Sequence, residues 1–64
     1  MKSAIFIAKP ETSAAELAAV TGIYPQLAYY YRRTQSFPAS RKGTYKTSEL
    51  IKYLRKNGWE IELV

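Results

Sequence analysis

Thr21-Gly22-Ile23-Tyr24-Pro25-Gln26-Leu27-Ala28-Tyr29-Tyr30-Tyr31-Arg32-Arg33 is the stretch on which the reading of this chain turns. Gly22 supplies the left-handed residue on which one helix ends and a tight turn begins. Pro25 stands in the first turn of the next helix, where its missing N–H costs nothing. From there a 3.6-residue period sorts the side chains. Leu27, Tyr30, Tyr31 and Thr34 share one side, suited to a core with tyrosine hydroxyls near its edge. Gln26, Tyr29 and Arg33 share another, suited to a DNA groove, because glutamine can bond adenine and arginine guanine through two hydrogen bonds each. An aromatic core is the competing reading of Tyr29-Tyr30-Tyr31. The facial split gives Tyr31 to that core, leaves Tyr30 open and turns Tyr29 outward.

Upstream, Thr12-Ser13-Ala14-Ala15-Glu16 opens a first helix. Thr12 or Ser13 can cap it, and Ser13 and Glu16 have capping-box spacing. Leu17, Val20 and Ala14 form its inward stripe, and its role is to brace the second helix. Residues 3–8 have strand composition and are ended by Pro10.

Downstream, Phe37-Pro38 ends the second helix. Residues 37–40 and 44–46 are expected to pair as a hairpin around Arg41-Lys42-Gly43, with Gly43 at positive φ. A tip carrying Arg41 and Lys42 is expected to stay in solvent and grip phosphate or enter a narrow minor groove. Thr47-Ser48-Glu49 caps a third helix, with Leu50, Ile51 and Leu54 inward, Tyr53 alongside, and Lys52, Arg55 and Lys56 outside. Asn57-Gly58 stops it. Trp59-Glu60-Ile61-Glu62-Leu63-Val64 alternates as a half-buried strand, expected to join residues 3–8 in a terminal sheet, with Trp59 and Ile61 covering the helices. The expected fold is α+β: a small winged helix-turn-helix with three short helices, a β-hairpin wing and a short two-stranded terminal sheet, in one domain over residues 1–64.

Composition narrows the chemistry. A chain of 64 residues has room for one small core, burying about 60% of its unfolded surface. With 47% hydrophobic residues it is a folding sequence, not a disordered tail. It has no cysteine or histidine, which removes disulfides, thiolate metal sites and the usual near-neutral acid–base group. The carboxylates are Glu11, Glu16, Glu49, Glu60 and Glu62. Glu60 and Glu62 read as the solvent face of a strand. A nucleophilic tyrosine would lack its supporting histidine and second-helix arginines. The expectation is no enzyme, no cofactor and no metal. The apolar run Ala4-Ile5-Phe6-Ile7-Ala8 is too short for a signal segment or a membrane span, so the expected location is cytoplasmic and nucleoid-associated.

The net charge of +5 is unevenly placed. Residues 32–56 hold eight lysines and arginines against Glu49, a net +7, whereas residues 1–31 are neutral and residues 57–64 carry −2. Like charges held this close repel one another unless a polyanion neutralises them.

Residues 22–33 resemble the MerR-type winged-helix motif, G-[VI]-S-P-x-T-L-R-Y-Y-E-R, without a gap. Phe37-Pro38, Gly43-Thr44-Tyr45 and Ser48-Glu49-Leu50 follow that family's wing and next helix in order, so the resemblance spans residues 13–55. Phage and prophage excisionases, AlpA-like regulators and the DNA-binding end of small terminase subunits share the arrangement. The resemblance implies a small sequence-preferring, DNA-bending or cooperative binder without an effector domain. It puts Tyr24, Gln26 and Tyr29 at groove-reading places, Tyr30 at a phosphate-contacting place, Tyr31 in the core, and Arg41 and Lys42 in the wing. Tyr24 replaces the usual serine, Leu27 the threonine and Tyr29 the arginine, which makes the reading surface more aromatic and less charged. Where the family continues into a long C-terminal dimerisation helix, residues 59–64 are expected to form a strand.

The expected interface to double-stranded DNA comprises Tyr24, Pro25, Gln26, Tyr29, Tyr30, Arg32, Arg33, Ser40, Arg41, Lys42, Thr44 and Lys46. The expected role is a phage or mobile-element transcriptional regulator or an excisionase-type recombination directionality factor. The alternative is a winged-helix module that docks a recombinase, polymerase or DNA-packaging subunit through its tyrosines. Self-association along DNA or through the terminal strands is a further expectation. A membrane partner is not expected, because no helix joins a strong apolar face to a basic one.

Overall fold

Capping chemistry sets the helix boundaries in the computed structural model, which describes residues 2–64. Helix α1 (Ala14–Thr21) starts where the Ser13 hydroxyl accepts the Glu16 N–H at 3.1 Å. The Glu16 carboxylate does not complete the capping box; it turns to Lys9, 2.6 Å from the ammonium. Gly22, at φ 79°, ends α1 and donates its N–H to the Ala18 carbonyl at 2.8 Å. Helix α2 (Pro25–Gln35) has proline in its first turn and ends on Ser36 at φ 58°. Arg32 and Arg33 lie in its last turn, where cations complement the helix dipole. Helix α3 (Thr47–Lys56) has Glu49 in its first turn, but no side chain caps it. The Thr47 hydroxyl expected there is instead buried against the Thr12 hydroxyl, 2.7 Å away.

The strands form two ribbons. Strand β1 (Lys2–Phe6) pairs in parallel with β4 (Trp59–Leu63), in a register running from Lys2 opposite Trp59 to Phe6 opposite Leu63. The period of two turns Ala4 and Phe6 inward and leaves Ile5, Glu60 and Glu62 exposed. Strand β2 (Glu11–Ser13) pairs antiparallel with β3 (Thr44–Lys46), Thr12 opposite Tyr45.

This second pairing differs from the expected wing. Residues 37–40 form no strand; β3 takes β2 as its partner instead. Pro38 has no N–H to give a ladder, and Phe37 is drawn into the core, 3% exposed. What remains of the hairpin is its tip. Arg41 and Thr44 exchange backbone hydrogen bonds of 2.7 and 3.0 Å around Lys42 and Gly43. Both central residues have positive φ, 51° and 81°, as two-residue primed turns require.

The core joins Ala4 and Phe6 of β1, Leu17 of α1, Ala28 of α2, Tyr45 of β3, and Leu50 and Leu54 of α3, with Ile23 and Phe37 from the connections. Phe37 sits among three tyrosines, its ring centre 4.7 Å from Tyr53, 5.7 Å from Tyr45 and 6.4 Å from Tyr31. The first two contacts are edge-to-face, the arrangement aromatic quadrupoles favour. Trp59 and Ile61 pack on this core half-buried, as expected. The inward side of α2 is narrower than its period suggests. Ala28 is buried and Leu27 and Tyr31 half-buried, whereas Tyr30 and Thr34 are exposed. The result is a small α+β domain with three helices and two small sheets.

Candidate nucleic-acid interface

The outward surface of α2 meets the Lys42-Gly43 turn at a cleft of about 350 Å³. Pro25, Tyr29 and Arg32 of α2 line one wall, and Pro38, Ser40 and Gly43 line the other. Helix and turn are fixed together from beneath by Ala28 and Tyr45, both buried and both reaching the cleft floor. The Gly43 carbonyl also accepts the Ala14 N–H at 2.9 Å, which ties the turn to the start of α1.

Tyr29 is the ridge between this cleft and a second, which it lines with Tyr30, Arg33 and Thr34. The Arg33 guanidinium stands over the Tyr29 ring, 6.0 Å from its centre. Tyr30 is held from below by the tilted Tyr31 ring at 6.0 Å. Tyr24, Tyr29 and Tyr30 are 50%, 61% and 58% exposed, an unusual concentration of open aromatic surface for so small a domain. Gln26 is exposed but lines neither cleft.

The electrostatics favour an anion. Among the described residues the ion pair is Lys9 with Glu16. Arg32, Arg33, Arg41 and Lys42 therefore have no carboxylate at ion-pair distance, and α2 carries no acidic residue. Arg41 and Lys42 are exposed, as expected for a turn tip.

Two members of the expected set are placed differently. The Thr44 hydroxyl serves the turn itself, donating to the Arg41 carbonyl at 2.9 Å with Glu11 3.4 Å away. Lys46 stands opposite Glu11 in the β2–β3 register, beside an opposing charge and outside both clefts. Pro38 and Tyr45, not among the expected residues, line the cleft. In sequence Pro38 reads as a helix stop and a residue of the wing's first strand, and Tyr45 as a residue of its second.

A further cavity of about 480 Å³ opens on the other flank of α2, bounded by Leu27, Tyr31, Gln35, Tyr53, Asn57 and Trp59. There the Tyr53 hydroxyl donates to Gln35 Oε1 at 2.8 Å. Burial, and then the neighbouring Tyr31, push the Tyr53 hydroxyl above the usual tyrosine pKa. No helix among the described residues is long and apolar enough to cross a membrane. No protein-family model, curated protein or solved structure matches this chain.

Proposed function

We propose that the protein is a winged helix-turn-helix that binds double-stranded DNA with a sequence preference, α2 entering the major groove and the Lys42-Gly43 turn resting on the flanking phosphates. One observation carries this reading: Tyr29 and Arg32 of α2 share a cleft with Ser40 and Gly43 of the turn. The outward side of α2 and the turn therefore border the same cleft, with the exposed Arg41 and Lys42 preceding Gly43 in the chain. Among the described residues Arg32 and Arg33 of α2 and Arg41 and Lys42 of the tip lack carboxylate partners, and phosphate contacts supply a large share of the affinity in such complexes.

The MerR-type resemblance of residues 13–55 agrees with this assignment. It favours a phage or mobile-element regulator, or an excisionase-type factor that directs recombination, acting in the cytoplasm at the nucleoid. An electrophoretic shift titration tests the reading. Six phosphate contacts give a log–log salt slope of about −5, at roughly −0.9 per contact. Absence of any duplex complex at about 50 mM salt refutes it.

The open tyrosines favour a second reading, a module that docks a DNA-bound protein through Tyr24, Tyr29 and Tyr30, since tyrosines anchor such interfaces. The Arg41→Ala/Lys42→Ala variant separates the two. It weakens DNA binding and spares a contact centred on the tyrosines.

A further inference from the structure

The exposed aromatic surface of α2 calls for a specific chemical counterpart. Tyr29 and Tyr30 present more than half of their surface to solvent, at 61% and 58%, on a helix with no carboxylate. A B-form major groove displays carbonyls, amines and ring nitrogens, and one apolar group, the thymine C5-methyl. A tyrosine ring offers little to the polar edges beyond its hydroxyl, but it packs well on a methyl.

Each ring has one neighbour on α2. Tyr29 is covered on one side by the Arg33 guanidinium at 6.0 Å, and Tyr30 leans on the Tyr31 ring at 6.0 Å. The Arg33 guanidinium has no carboxylate partner among the described residues, and its planar N–H edge matches guanine O6 and N7. Tyr29, Tyr30 and Arg33 line one cleft, so a methyl contact and a guanine contact would fall on neighbouring base pairs.

We infer that α2 is a thymine-methyl reader: Tyr29 and Tyr30 pack on C5-methyl groups while Arg33, backed by Tyr29, takes an adjacent guanine. This rests on the DNA-binding reading above and narrows it to duplexes in which thymines neighbour guanine. The same rings would stack on unpaired bases if the ligand were single-stranded. The turn borders the cleft that Tyr29 lines and carries the exposed Arg41 and Lys42, which favours a duplex, where a groove and its flanking phosphates are presented together.

The test compares a thymine- and guanine-rich duplex with the same duplex carrying deoxyuridine for every thymidine, which deletes the methyls and keeps every hydrogen-bonding edge. Wild-type protein is expected to bind the uracil duplex about fourfold more weakly per contacted methyl. Tyr29→Ala/Tyr30→Ala, whose lost side chains are exposed and spare the core, is expected to bind both duplexes equally, with an unchanged thermal midpoint. Equal wild-type affinity for the two duplexes overturns the methyl assignment while leaving DNA binding intact. Tighter binding to the matching single strand overturns it in favour of base stacking. Failure to bind any of the three removes the DNA-binding reading and this inference together.

Discussion

The hydroxyls of Thr12 and Thr47 lie 2.7 Å apart and buried, a hydrogen bond that joins β2 to the first residue of α3 across 35 positions. Thr47 is held there a second time, its N–H donating to the Pro10 carbonyl at 3.1 Å. Each hydroxyl is the other's partner, so the pair is satisfied only as a pair. Thr12→Val is therefore expected to destabilise the domain by about 1–3 kcal/mol, because it leaves the Thr47 hydroxyl buried and unpaired. Thr12→Val/Thr47→Val is expected to cost less than the sum of the single changes. Urea unfolding of the four proteins measures the coupling.

Phe37 is the centre of the aromatic cluster, and its removal leaves three tyrosine rings facing a void. Phe37→Ala is expected to cost about 3–5 kcal/mol, most of the stability available to a domain this small. Loss of the near-ultraviolet circular dichroism of the tyrosines and a collapsed unfolding transition at room temperature are the expected signs. A variant with wild-type thermal stability contradicts the packing described.

Much of this fold is legible in the sequence. Gly22 and Pro25 bracket the turn between α1 and α2, and Asn57-Gly58 ends α3, because these residues act through local backbone geometry. Strand β2 is not legible. Three residues, Glu11–Ser13, carry no usable period, and their pairing is decided by β3, over thirty positions away. The same pairing explains why the hairpin is reduced to its turn. Ala28, a weak hydrophobic signal, is buried, and Tyr30, two positions on and so about 200° around the helix, is turned outward. The candidate site was legible on α2 and at the tip. Pro38 and Tyr45 were not, because the cleft they line exists only after helix and turn have packed together.

Lys42 holds a left-handed conformation that lysine adopts with strain, next to Gly43. Asn-Gly is the favoured pair for such a turn. Lys42→Asn is expected to leave thermal stability unchanged or slightly raised while removing one cation. The salt slope of DNA binding should then become shallower by about one contact, roughly 0.9. An unchanged slope removes Lys42 from the phosphate contacts proposed above.

The raised Tyr53 pKa makes one contribution to stability that is lost in alkali. Burial is the larger cause, Tyr31 the smaller. The neutral phenol is favoured in the folded state, so its contribution is complete below the unfolded tyrosine pKa of about 10. Above that value the unfolded chain ionises first, and the contribution is lost as pH rises through the folded pKa. Tyr53→Phe is expected to flatten the fall in stability above about pH 10, as read from thermal midpoints in a pH series. The Gln35 hydrogen bond is lost in that variant at every pH.

The parallel pairing of Lys2–Phe6 with Trp59–Leu63 imposes an order on biogenesis. At about 5–20 residues per second of synthesis, the first strand emerges seconds before the ribosome makes its mate. Throughout that wait Ile5, Phe6 and Ile7 form an apolar, β-prone segment with an unpaired edge, open to the same segment on a neighbouring nascent chain. Shielding Lys2–Phe6 during synthesis is therefore expected to raise the yield of folded protein.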